Sequence, residues 1–163
     1  MDSLIIYNSE NISKRQNFNC NFNFKKICCG DDFFIAIDYN GKIYSWGCGL
    51  RFRLGYNMDS NDILRKQKMP LLISYFQNMK VVSVSCGNDF GLALIGNKYK
   101  FIDYKKDSGE VYSWGENHSG QLGLGSQTSF QTIAKIISIS EIVDIKSGWN
   151  HSLALTSNLH FIY

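Results

Sequence analysis

The 163-residue chain is 44% hydrophobic and 14% aromatic, with one proline, 19% charged residues and a net charge of +3. That composition suits one ordinary domain with a real core and excludes wholesale disorder. The mild charge permits an acidic partner but does not demand nucleic acid, for which a clustered basic face would be the footprint, and no run approaches the roughly 18 apolar residues of a membrane span.

Residues 1–23 read as an irregular lead-in. From Phe24 the pattern sharpens. Lys25–Cys29 is a predicted strand, Gly30-Asp31-Asp32 a tight turn and Phe33–Asp38 a second strand. Asn40-Gly41 is the strongest short hairpin signal, both turn positions being expected at positive φ, and Lys42–Trp46 is the returning strand. The loop Gly47–Asn61 follows, and Pro70 is expected to punctuate the start of an edge-like strand, Leu71–Ser74.

The same order recurs. Val81–Cys86, Gly87-Asn88-Asp89 and Phe90–Ile95 match the first unit position for position, and Glu110–Trp114 is the returning strand. Gly30 to Trp46 is 16 residues and Gly87 to Trp114 is 27, so this hairpin carries an 11-residue insertion within 97–108. Ile133–Ile139 takes the place of Leu71–Ser74. A third start, Ile142–Ser147, Gly148-Trp149-Asn150 and His151–Leu155, leads to Tyr163, one residue before its Trp-Gly would fall. Gly30, Gly87 and Gly148 stand 57 and 61 residues apart, and Ala36, Ala93 and Ala154 each follow six later. Trp46 to Gly55 and Trp114 to Gly123 are both nine residues. A motif at fixed internal spacing is the mark of a repeat architecture. The units are 24–78, 79–140 with the insertion, and a partial 141–163.

Gly148–Leu155 and Val111–Gly123 resemble the repeats of the regulator of chromosome condensation family (the RCC1-like propellers). Its pattern runs Val-x-x-Ile-x-x-Gly-x-x-His-Ser-x-Ala-Leu, then a hairpin, Val-Tyr-x-Trp-Gly and Asn-x-x-Gly-Gln-Leu-Gly. The likeness covers about 140 residues. It implies an all-β fold of propeller blades, with repeat-building positions at Gly30, Ala36, Gly41, Trp46, Gly47, Leu54, Gly55, Gly87, Ala93, Trp114, Gly115, Gly120, Gln121, Leu122, Gly123, Gly148, His151 and Ala154. Two departures stand out. Leu50, Phe52 and Arg53 replace the equivalents of His118, Gly120 and Gln121, and Phe33 and Phe90 replace the histidine kept at His151. The family fold is a closed seven-bladed ring, whereas this chain supplies two full repeats and part of a third. Because open blade faces are unfavourable in water, the chain is expected to be a fragment or part of a larger assembly.

No constellation for catalysis emerges. Gly115 to Gly120 has the glycine spacing of half a phosphate loop, but Gln121-Leu122 stand where lysine and a hydroxyl residue are required. The glycines are read as turn formers, and Trp46 and Trp114 as blade packing. His118, His151 and His160 are scattered without metal-ligand spacing, and His151 is expected to be a buried hydrogen-bonding residue. No cofactor is implied. Cys20, Cys28, Cys29, Cys48 and Cys86 are odd in number and contain no Cys-x-x-Cys pair, and the N-terminus lacks a secretion signal. The expectation is an intracellular protein, nuclear or cytoplasmic and not secreted, with free thiols. Cys29 and Cys86, each before a turn glycine, are read as buried and inert.

Two basic stretches are candidates for contact with a partner: Arg51 and Arg53 with Arg65, Lys66 and Lys68, and the insertion with Lys98, Tyr99, Lys100, Phe101, Tyr104, Lys105 and Lys106. Loops on a rigid scaffold carry binding. The leading reading is a protein-interaction module without bond chemistry of its own, its partner another protein or the remaining blades of a propeller. The family also implies guanine-nucleotide exchange on a Ran-type small GTPase, and a third reading is chromatin contact.

Overall fold

The structure, a computed structural model, describes residues 22–56, 66–96, 109–136, 141–157 and 161–162. The lead-in expected before residue 22, most of the loop after Tyr56 and the 97–108 insertion lie outside the described residues. Among the described residues three antiparallel sheets of propeller-blade type follow one another along the chain.

The first blade runs in order β1 (Phe24–Cys29), β2 (Phe33–Asp38), β3 (Ile43–Cys48) and β4 (Lys66–Leu72). The second repeats it with β5 (Val81–Cys86), β6 (Phe90–Ile95), β7 (Glu110–Glu116) and β8 (Phe130–Lys135). The third comprises β9 (Ile142–Ser147), β10 (Ser152–Thr156) and β11 (Phe161–Ile162). β2, β5, β6 and β9 match their predicted bounds. The fourth strands differ. β4 starts at Lys66 and contains Pro70, buried, where the register with β3 breaks between Ser45↔Leu71 and Gly47↔Gln67. An edge strand at an irregularity tolerates a residue without an N–H.

The β2–β3 turn also differs from expectation. Gly41 takes φ +80, but Asn40 is absent from the left-handed residues. Instead the Asp38 carboxylate accepts the backbone N–H groups of Asn40 and Lys42, at 2.9 and 2.8 Å. An Asx-type cap thus replaces the two-residue turn.

The core lies between sheets. Alternation sends Phe33, Ile35 and Ile37 of β2 toward the second blade, where Val81, Val84, Ala93, Ile95, Tyr112 and Trp114 complete one cluster. Phe90, Leu92 and Leu94 of β6 face the other way and pack with Ile142, Ile145 and Ala154 of the third. β6 is therefore buried along its whole length, with a neighbour on each side. Such a strand reads as a continuous apolar run rather than an alternating one. Beyond strand Trp-Gly, Gly47 and Gly115 adopt φ +106 and +107, and the following N–H groups, of Cys48 and Glu116, bond to the carbonyls of Asp32 and Asp89 at 2.7 and 3.0 Å. A side chain would be strained in that left-handed conformation.

Candidate interaction surface and the joints that support it

The loop after each Trp-Gly folds back on its own blade. Ser45 donates to the Leu54 carbonyl at 2.6 Å, and Ser113 donates to the Leu122 carbonyl at 3.0 Å. In the second blade Asn117 adds two more ties, accepting from the Leu122 N–H at 3.1 Å and donating to the Ser126 carbonyl at 2.7 Å. Residue 53, or its equivalent 121, then meets the following blade. Trp114 Nε1 donates to the Arg53 carbonyl at 3.0 Å, and Ser152 Oγ donates to the Gln121 carbonyl at 2.7 Å.

A charged joint reinforces the first of these contacts. Asp89, 1% exposed, receives Arg53 at 2.5 Å on Oδ1 and Arg51 at 2.5 Å on Oδ2. Arg51 also reaches Glu116 at 3.3 Å. Arg53 is itself 4% exposed and bonds to the carbonyls of Leu50 and Asp31. The structure thus places its guanidinium inside the joint rather than on a contact surface. Arg51 remains half in solvent, and Lys66 and Lys68 are exposed on β4. Asp89 was not singled out in the sequence. A signal existed: the Arg53/Asp89 pair becomes Gln121/Asn150 at the equivalent positions of the next joint.

A backbone ladder links the turns that follow the first strand of each blade: Asp31 N–H donates to the Asn88 carbonyl at 2.8 Å, and Asn88 N–H to the Trp149 carbonyl at 3.0 Å. Trp149 ends this row with 71% of its surface exposed. Beside it His151 is exposed, contrary to expectation. Its equivalents Phe33 and Phe90 are fully buried because a following blade covers them, and among the described residues no blade covers His151. His118 is exposed as well, edge-on to Phe130 with ring centroids 5.5 Å apart.

The strands β1, β5 and β9 lie side by side and carry Lys26, Ser83 and Asp144 at equivalent positions. Lys26 Nζ donates to Ser83 Oγ at 2.8 Å. Burial, helped by the charge of Lys146 and opposed by Asp144, pulls the Lys26 ammonium below its ordinary pKa. Burial would raise Asp144, but the Lys146 side chain at 3.0 Å and the Ile145 N–H outweigh it and hold the carboxyl low. Tyr56 is pushed up to about 12 by burial, although its bonds with Ser45 oppose the shift.

The cysteines depart most from expectation. Cys28 and Cys86 form a disulfide with Cα atoms 5.8 Å apart, because their strands are neighbours in space although their positions are not equivalent in the repeat. Cys29 is exposed rather than buried, alternation having turned Cys28 inward instead. Among the described residues no group of three or more His, Cys, Asp or Glu is placed to hold a metal ion, and no helix is long and apolar enough to cross a membrane.

Comparison with known proteins agrees with this architecture. The family model "Regulator of chromosome condensation (RCC1) repeat" matches residues 40–94 and 108–155, and a second model of that description matches 24–51. The human "Probable E3 ubiquitin-protein ligase HERC6" is 32% identical over 134 residues, which cover 80% of this chain and 12% of that protein. The Arabidopsis thaliana "Ultraviolet-B receptor UVR8" is 27% identical over 134 residues, covering 81% of this chain and 27% of that one. The crystal structure of human WBSCR16 superposes with a TM-score of 0.70 at 14% identity, covering 91% of this chain and 34% of that chain. That of Saccharomyces cerevisiae Prp20p gives 0.65 at 19% identity, covering 91% and 32%. The chain thus spans about a third or less of each of these proteins.

Proposed function

The chain belongs to the regulator of chromosome condensation repeat family, and from that premise we propose that it acts by presenting loops to a protein partner, with no bond chemistry of its own. The observation that supports this reading is the division of labour among its residues. Trp114, Gly115, Gln121 and Leu122 lie buried in the blades and their joints. Trp149 and Arg51, at turns of the same frame, remain accessible. Rigid strands that hold exposed aromatic and basic side chains provide anchors with little ordering cost on binding. The insertion 97–108, rich in lysine and aromatic residues, is proposed as a second contact element.

The proposal is tested by capture of partners with the full chain and with two variants, Trp149→Ala and a replacement of 97–108 by a Gly-Ser linker. Loss of a partner in either variant, with an unchanged melting curve, is the expected result. A partner that binds both variants as it binds the original would overturn the assignment of these surfaces. The same preparations, mixed with a Ran-type small GTPase loaded with fluorescent nucleotide, test whether the partner is a GTPase and the outcome is exchange. Exchange would require tighter binding of the nucleotide-free form, and accelerated release is the readout.

A further inference from the structure

We infer that Cys28 and Cys86 form a redox-controlled latch between the first two blades. The disulfide joins the fifth residue of β1 to the last residue of β5, strands of different sheets, and spans 58 positions of sequence. Its Cα separation of 5.8 Å lies within the ordinary disulfide range. Non-covalent contacts hold the same two strands on either side of it. Lys26 Nζ reaches Ser83 Oγ at 2.8 Å before the pair, and Asp31 N–H reaches the Asn88 carbonyl at 2.8 Å after it. Both cysteines also pack against the core shared by the two blades. With the bond open, these contacts keep the thiols adjacent, so that closing it needs little rearrangement and the step is reversible.

The latch is confined to one joint. Cys28 and Cys86 occupy the positions of Ser85 and Ser147 in the next one, so the second and third blades carry hydroxyls where the first two carry sulfur. Oxidation therefore ties the first pair of blades and leaves the second pair as it was. With glutathione disulfide as oxidant, the Cys28 thiolate attacks one of its sulfurs and displaces a glutathione thiolate. The Cys86 thiolate then attacks the Cys28 sulfur and expels the second glutathione. Two protein thiols lose two electrons, the glutathione disulfide gains them, and the two protons leave on two glutathione thiols. Excess glutathione runs the exchange backwards.

The full chain is equilibrated in glutathione buffers from reducing to oxidising, quenched by alkylation, and mapped by mass spectrometry. A Cys28–Cys86 linked peptide should appear with oxidation and vanish with reduction, while Cys29 and Cys48 stay alkylatable. Closing a loop of this size should raise the melting temperature by about 10 °C. Cys28→Ser in oxidising buffer should melt like the reduced original protein, and Cys29→Ser should retain the shift. The double variant Ser85→Cys/Ser147→Cys should gain a second linked peptide. No linked peptide at any ratio, or pairing of Cys86 with Cys29, would overturn the latch. So would melting curves that coincide in the two buffers, a comparison that stands even where Cys28→Ser fails to fold.

Discussion

The first and second blades are built from the same plan, yet each solves its outer face differently. In the second, Gly91 leaves room at the joint. A Cβ there would lie 2.6 Å from Trp114 Cζ2 and 2.7 Å from Ile35 Cδ1 of the first blade. The equivalent residue of the first blade is Phe34, which stacks on Trp46 at 5.3 Å and 16°, with Phe24 stacked on the same indole at 5.8 Å and 11°. Trp114 is bonded across the joint to Arg53, whereas Trp46 Nε1 is buried with no hydrogen-bond partner among the described residues. One blade is covered by its neighbour, and the other covers its tryptophan with aromatic rings of its own. Residues at matching repeat positions thus play different parts according to what stands beside them.

The largest effect should come from the charged joint. Asp89→Asn removes a buried charge from between two arginines and leaves the Arg53 guanidinium enclosed, which is expected to lower stability by about 3 kcal/mol in denaturant unfolding. The double variant Arg53→Gln/Asp89→Asn copies the Gln121/Asn150 pair of the other joint and should recover most of that loss. A double variant as unstable as the single one would mean the two joints are not interchangeable.

Next in size is the close approach at Gly91. Gly91→Ala crowds Trp114 and Ile35 and should cost about 2 kcal/mol, an overpacking effect. Phe34→Ala enlarges space on the side where, among the described residues, no neighbouring blade packs, and should instead expose Trp46, seen as a red shift of tryptophan emission. An unshifted spectrum would contradict the covering role of Phe34.

The two tryptophans offer a smaller test. Trp114→Phe abandons a buried carbonyl and should cost about 1 kcal/mol more than Trp46→Phe, whose N–H has no acceptor among the described residues. Equal losses would show that packing alone distinguishes neither.

Smallest is the loop backbone. Phe52 holds φ +59 where Gly120 holds +76. Phe52→Gly should relieve a left-handed bulky residue and, against the lost contact with Phe130 at 6.4 Å, gain at most about 1 kcal/mol. Gly120→Ala, with no atom within 4 Å of its new Cβ, should lose about 1 kcal/mol through backbone strain alone.

Much of this was legible in the chain of residues. The spacing of Gly30, Gly87 and Gly148, and of the two Trp-Gly loops, identified the repeat and through it the blades, since one supersecondary unit recurs whenever its sequence does. The match between repeat units located β2, β5, β6 and β9, whereas the vicinal cysteine that turned inward was Cys28 and not the expected Cys29. Local sequence misjudged Asn40, because the Asp38 carboxylate offered those N–H groups another acceptor. It also misjudged Pro70, because a bulge at a sheet edge removed the demand for a donor.

The candidate contact residues divide along the same line. Sequence marked Arg51 and Arg53 as basic and close together, and could say no more. Which of them faces solvent depends on Asp89, 36 residues beyond Arg53, and on how two sheets meet. The same is true of His151, exposed where Phe33 and Phe90 are covered, and of Cys28, which meets a sulfur from another blade. Periodicity and spacing report what lies along the chain, and these determined the repeat, its strands and its turns. Pairing across blades depends on which side chains packing brings together from distant positions, and only the tertiary structure decided the ionic joint, the disulfide and the surface left open.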